Sequence, residues 1–259
     1  WDCGRFVEPM EVESLGWSYI EMIVEFGVAP GELSPTEEES SPTEDLSLDE
    51  FPNISEYVNA PTESPPTAPT SAPDVLWKFR TSNWVYSDPA VSDGVVYFGS
   101  RDGYIYAVDA NTGEEKWKFK TGGEVFSSPT VSDGVVYCGS EDNYLHALDA
   151  NTGEQKWSFK TGKDVDSSPA VSGGVVYFGS NDHHIYALDA ASGQEKWKFK
   201  TGFLVWSSPV VSDGVVYCGS QVRRLYALDA DTGEKKWEFW ADGAVNSSPT
   251  ASSATTTAP

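Results

Sequence analysis

Three groups of residues in this 259-residue chain have types and spacings that could do chemistry. His183 and His184 stand side by side and could begin a metal site, since neutral imidazole is a common metal ligand. No third ligand accompanies them at a coordinating spacing, so an exposed loop pair is the simpler reading. Asp109-Ala-Asn111-Thr-Gly113-Glu114 is as oxygen-rich as a calcium loop, but it lacks the full ligand pattern, and the related run at 189–193 loses the Asn. A tight turn is expected there. Cys3, Cys138 and Cys218 form no CxxC, no haem-attachment motif and no zinc spacing. Cys138 and Cys218 take the place that Phe98 and Phe178 hold in alternate repeats, which predicts small buried apolar groups rather than a disulfide; Cys3 is expected to be free to pair between chains.

A 40-residue period sets where these residues sit. Trp77, Trp117, Trp157, Trp197 and Trp237 recur at that spacing, as do Pro89, Pro129, Pro169, Pro209 and Pro249. Self-similarity at this period signals a propeller or solenoid. One unit, SSPTVSDGVVYCGSEDNYLHALDANTGEQKWSFKTG, reads as four short strands around SSPTVS, VVYCGS, YLHALDA and KWSFKT, with turns at Asp-Gly and Asn-Thr-Gly. Its middle strands are apolar on both faces, so each sheet must be covered on both sides by its neighbours. The fourth strand alternates, as in Lys116-Trp117-Lys118-Phe119-Lys120, with lysines protecting an outer edge from foreign strands. The proline belongs to the first strand, where an inner edge tolerates its missing N–H. Helical solenoids are excluded; a β-solenoid is not, although its coils are usually shorter.

Outside the repeats the composition changes. Val12, Leu15, Tyr19, Met22, Ile23 and Phe26 fall at three- and four-residue spacings between glutamates, which predicts an amphipathic helix over 9–26 within an N-terminal segment 1–30. Residues 31–74 are acidic and rich in Pro, Ser and Thr and read as an extended linker. The repeats occupy 75–250, and a Ser/Thr-rich tail follows over 251–259. Of 40 acidic residues 17 lie in 1–75, beside one base, Arg5, so much of the net charge of −23 belongs to the front of the chain. Such a field repels nucleic acid and anionic membrane. No 18-residue apolar run is present to span a membrane. Asn53-Ile-Ser55 and Asn246-Ser-Ser248 match the N-glycosylation sequon, making Asn53 and Asn246 candidate acceptors.

The segment ALDANTGEQKW at 147–157, repeated as AVDANTGEEKW, ALDAASGQEKW and ALDADTGEKKW, resembles the tryptophan-docking motif of pyrroloquinoline-quinone-like propeller repeats. The likeness extends to VVYFGS and covers about 75–250. It implies an all-β propeller of four-stranded antiparallel blades, with four full repeats and a half-blade at each end, in which Trp117, Trp157, Trp197 and Trp237 pack against adjacent blades. The family holds quinoprotein dehydrogenases and non-enzymatic scaffolds, among them the lipoprotein of the outer-membrane assembly machinery. The dehydrogenases use eight blades, an acidic calcium site, a catalytic Asp and a vicinal cysteine pair. This chain has half the blades and no adjacent cysteines, so no catalytic, cofactor or metal residue is assigned and a dehydrogenase fragment is the least favoured reading.

Comparison among the repeats locates the expected binding surface. The Asp-Gly and Asn-Thr-Gly turns hardly change and lie on one face. The other face carries the variable connections, and binding favours loops on a rigid scaffold, rich in Trp, Tyr and Arg. Trp84, Tyr86, Arg101, Phe126, Glu141, Asp164, Asp166, His183, His184, Phe203, Trp206, Arg223 and Arg224 form the candidate interaction face; Trp84, Tyr86, Phe126 and Trp206 alternatively plug the channel mouth. The expected function is a non-catalytic scaffold, extracellular, at the cell surface or periplasmic, that holds a protein or glycan partner. The alternative is a self-assembling subunit that joins copies of itself into a filament or ring through strand exchange at its half-blades; a small ring of four or five blades would close alone, the fifth completed by the N-terminal segment, and two chains would make eight.

Overall fold

The computed structural model describes residues 75–250 in full and 19–23 as backbone. Among these residues there is no helix, and the strands assemble as repeated antiparallel meanders. The first complete sheet joins β3 (Ala90–Ser92), β4 (Val95–Ser100), β5 (Tyr104–Asp109) and β6 (Glu115–Lys120) in chain order. The second joins β7 (Thr130–Ser132), β8 (Val135–Gly139), β9 (Tyr144–Asp149) and β10 (Gln155–Lys160), and the third β11 (Ala170–Ser172), β12 (Val175–Ser180), β13 (His184–Asp189) and β14 (Glu195–Lys200). The fourth joins β15 (Val210–Ser212), β16 (Val215–Ser220), β17 (Arg224–Asp229) and β18 (Lys235–Trp240). These are four propeller blades. Each first strand starts one residue after its proline, where a backbone N–H again becomes available for the ladder.

The apolar middle strands form the core between blades. Val95–Ser100 is buried along its whole length, whereas Lys116, Lys118 and Lys120 leave only Trp117 and Phe119 inward on the outer strand. The docking motif then acts as a key and a lock. The indole N–H of Trp77, Trp117, Trp157 and Trp197 donates to the carbonyl of Ala110, Ala150, Ala190 and Ala230 in the next blade, at 2.9–3.0 Å. The Tyr97, Tyr137 and Tyr177 hydroxyls donate to the last three of those carbonyls. Each indole lies on the glycine of the turn; a Cβ on Gly153 would come within 2.7 Å of Trp117, and its φ of +73° is left-handed. At the inner edge, serines pass hydrogen bonds from blade to blade, from Asp88 N–H to Ser128, Ser128 N–H to Ser168, Ser168 N–H to Ser208, and Ser208 N–H to Ser248.

At the N-terminal end the segment ahead of the repeats adds to the half-blade, but as a strand rather than a helix. β2 (Val75–Arg80) is the lone fourth strand, and it pairs antiparallel with β1 (Tyr19–Ile23), inside the segment expected to be helical. Residues 9–18 and 24–26 of that segment lie outside the described residues. The pairing repeats the register of a complete blade: Tyr19 faces Arg80 as Tyr104 faces Lys120, Ile20 faces Phe79 as Ile105 faces Phe119, and both ladders shift register just after the tryptophan pair, Met22 with Trp77 and Ala107 with Trp117. The free edge of β2 selects extended chain, and Tyr, Ile, Met and Ile suit a strand as well as they suit a helix. At the other end, 244–250 carries the Ser248 bond and seats Val245 against Gly219, but forms no strand. A first strand pairs with the second strand of its own blade, and none follows among the described residues.

Candidate functional site

The two faces of the stack separate as the repeat comparison implies. On one, the carbonyl of Gly94 accepts the N–H of Ala110, tying the constant 1–2 and 3–4 turns together, with equivalents at Gly134, Gly174 and Gly214. A shallow cavity on that side, lined by Gly173, Tyr177, Val211, Asp213 and Asp231, consists of these repeated turn residues. On the opposite face the loop after each second strand is tied to the connection from the preceding blade. The N–H groups of Arg101, Glu141, Asn181 and Gln221 donate to the carbonyls of Trp84, Glu124, Asp164 and Leu204 at 2.8–3.1 Å. The variable residues are thus held at equivalent, closely spaced positions.

Their chemistry divides into an aromatic and an acidic part. Trp84 stacks on Tyr86, and Tyr86 on Phe126 in the next blade, with ring centroids 5.6 and 5.8 Å apart. Trp84 and Tyr86 keep 45% and 52% of their surface exposed. The Arg101 guanidinium lies 5.8 Å from the Tyr86 ring and 5.4 Å from the Phe126 ring, and its Nε is 2.6 Å from Glu124 Oε2. The acidic part begins at this Glu124. Burial, then the charges of Asp166, Glu124 and Asp164, push the Glu141 carboxyl above its usual range, against Arg101. Burial likewise raises Asp166, although Asn181 Nδ2 donates to its Oδ2 at 2.7 Å. Asn181 is only 7% exposed, and neither its Oδ1 nor Asp166 Oδ1 has a hydrogen-bond partner.

The remaining sequence candidates spread out. His183 stacks on Phe203, itself 47% exposed, and Trp206 is similarly open at the repeat position of Tyr86, Phe126 and Asp166. Arg223 sits at the repeat position of His183 and Asn143 and shares their positive φ. His184 starts β13 and contacts Asp182 and Tyr186, while Arg224 starts β17 and pairs with Glu238 and Trp240 of the outer strand. These two lie with the third and fourth strands rather than in the aromatic and acidic set. Asn246 is exposed at the position of Trp206, and Asn53 lies outside the described residues. Glu124 falls in a variable connection without being singled out, and Asn181 was missed by sequence reasoning, although the column Arg101, Glu141, Asn181, Gln221 held the signal: charged residues in two blades give way to amides in the next two.

A second set of carboxylates clamps blades together. Asp102, Asp142 and Asp182 accept the N–H of Ser82, Gly122 and Gly162 from the incoming connection, and each also bonds Tyr106, His146 or Tyr186. For Asp142 and Asp182 burial raises the carboxyl, but hydrogen bonds from His146 and Tyr186 and from the two glycine N–H groups outweigh it and hold both below the usual range.

Among the described residues no three His, Cys, Asp or Glu side chains are arranged to hold a metal ion. Cys138 and Cys218 are free, buried in different blades, and burial pushes both thiols up to about 12. Among the described residues the two thiols therefore form no vicinal pair.

Stacked four-stranded blades joined by docked tryptophans define a β-propeller of pyrroloquinoline-quinone-like repeats. The chain belongs to the family described as outer membrane protein assembly factor BamB, whose model matches residues 71–200 and 160–258. Among solved structures it is similar to BamB from Moraxella catarrhalis, with 22% identity, a TM-score of 0.51 and 64% of each chain covered. It is also similar to the quinohemoprotein alcohol dehydrogenase ADHIIG from Pseudomonas putida HK5, with 24% identity, a TM-score of 0.52, and 59% of this chain and 33% of that one covered. The computationally designed Ika8 protein aligns with 17% identity, a TM-score of 0.57, and 64% and 51% coverage. The chain therefore spans about two thirds of the BamB structure and one third of the dehydrogenase, and these likenesses concern the fold. A comparison with curated proteins finds no match.

Proposed function

We propose that this protein is a non-catalytic scaffold of the cell envelope or cell exterior that holds a protein partner on its variable face. The carrying observation is that the residues which differ between otherwise near-identical blades converge on one face, as exposed stacked aromatics beside unneutralised carboxylates. Exposed Trp and Tyr on connections tied down by a rigid scaffold bind at little entropic cost and dominate interface energies. Membership of a family described by an outer-membrane assembly factor supports both the scaffold role and an envelope location. The absence of adjacent cysteines from the sequence supports a role without quinone chemistry. Glycan binding and the two sequons fit an exterior location and stay secondary to the protein-binding reading.

The test compares the full chain with the triple variant Trp84→Ala/Tyr86→Ala/Trp206→Ala as bait for envelope proteins, followed by titration of the protein retained. Truncation of three exposed aromatics should weaken binding at least 100-fold, about 2.7 kcal/mol. An unchanged affinity would remove this face as the binding surface.

A further inference from the structure

We infer that the acidic centre of the variable face, around Asp166 and Asn181, is a binding site for a guanidinium group supplied by an arginine side chain of a protein partner. The inference rests on reading this face as the protein-binding surface and specifies the partner's chemistry. Glu124, Asp164 and Asp166 each lie close enough to act on Glu141, and Arg101, the one cation acting there, is taken by Glu124. Lys163, the neighbouring cation in sequence, is exposed and makes no ion pair among the described residues. A surplus of negative charge therefore remains.

Charge alone would make this an acidic cluster. The buried amide supplies the second observation. Asn181 is more than nine-tenths buried, turns its Nδ2 onto Asp166, and has no donor for its Oδ1; Asp166 Oδ1 is equally unmet. Buried acceptors without donors are rare and costly, so the site favours an N–H donor, and the surrounding carboxylates favour one that carries positive charge. No three carboxylate, imidazole or thiolate groups among the described residues converge on one metal-sized point. A guanidinium instead offers a planar fork of donors that can meet several separated acceptors at once.

Two blades earlier the chain already holds a guanidinium between a carboxylate and aromatic rings. Arg101 bonds Glu124 and spreads its guanidinium against the Tyr86 and Phe126 rings. Asn181 stands at the Arg101 position two blades on, and Asp166 lies in the column between Phe126 and Trp206. There Asp166 and Trp206 hold the Tyr86 and Phe126 positions and Leu204 that of Glu124, so a carboxylate and one ring stand without the arginine. Asp164 and Asp166 stay partly exposed as residues; the unmet Asp166 oxygen is itself buried, so binding requires that side chain to rotate toward the incoming donor.

The experiment titrates the full chain at low ionic strength with the capped peptide Gly-Arg-Gly-Arg-Gly, its citrulline and lysine counterparts, and acetyl-arginine amide. Asp166→Asn is compared with Glu154→Gln, which removes the same charge from an exposed turn on the constant face. The arginine peptide should bind, lysine should bind about fivefold and citrulline at least tenfold more weakly, Asp166→Asn should lose at least tenfold, and Glu154→Gln should stay within about twofold. Equal losses in both variants would show diffuse attraction to an acidic protein, and acetyl-arginine amide binding as tightly as the peptide would point to a free small molecule; either result overturns the inference. Should Asp166→Asn fail to melt cooperatively, Glu141→Gln takes its place with the same expected tenfold loss. If the peptide result is negative while the triple aromatic variant still loses the retained protein, only this inference falls. If the triple variant also keeps its partner, the reading of the face falls with it.

Discussion

Asp166 works against the fold it belongs to. Burial raises its carboxyl, so the folded state holds the proton more tightly than the unfolded chain; its contribution is complete at acid pH and is lost as pH rises through the folded value. Asp166→Asn should therefore raise Tm at pH 7 by about 1–3 °C and leave it unchanged near pH 3, as thermal melts at the two pH values would record. Asp142 and Asp182 behave oppositely. Their carboxyls are held low, so their stabilisation is present above the ordinary carboxylate pKa and disappears as pH falls through the folded value. Asp142→Asn or Asp182→Asn should lower Tm at pH 7 by about 2–4 °C, with the loss shrinking at acid pH. A residue that costs stability on a variable face is a functional candidate; one that clamps neighbouring blades is structural. Comparison of repeats singled out Glu141, Asp164 and Asp166 but not this distinction. Whether an aspartate accepts N–H groups or lies beside another carboxylate depends on which loops the stack brings together.

At the scale of single elements, the docking tryptophans give a graded test. Trp197 is 8% exposed and bonds Ala230, whereas Trp237 is 46% exposed and has no described turn beneath it. Trp197→Ala should cost about 3–5 kcal/mol and Trp237→Ala about 1 kcal/mol, by denaturant melts. Turn glycines separate in the same way. Gly153→Ala drives a methyl into Trp117, while Gly134→Ala has open space and meets only the left-handed backbone. The second should cost about 1 kcal/mol, and the first clearly more. Blade strands and turns were legible in the sequence because period and turn chemistry agree in every repeat. β1 was not, because its apolar spacings fit a helix locally and only the register against β2 reveals YIEMI as a counterpart of YIYAV.

The whole molecule is an array in which each blade depends on its neighbours, so stability should fall off toward the two ends. Trp237, Phe239 and Trp240 are exposed on the last complete blade, where earlier blades bury the first of these positions. A second copy does not meet this surface by the same device: the turns at Gly113, Gly153, Gly193 and Gly233 each already hold an indole. Strand exchange also loses one of its two edges, since β2 is already paired with β1. The proposed function therefore rests on the variable face. Hydrogen exchange of the full chain, alone and bound to the protein it retains, reads that face directly. Binding should protect amides in 82–86, 123–126, 163–166 and 203–206. Protection confined to the constant turns at 93–94, 110–113 and their repeats would contradict the account.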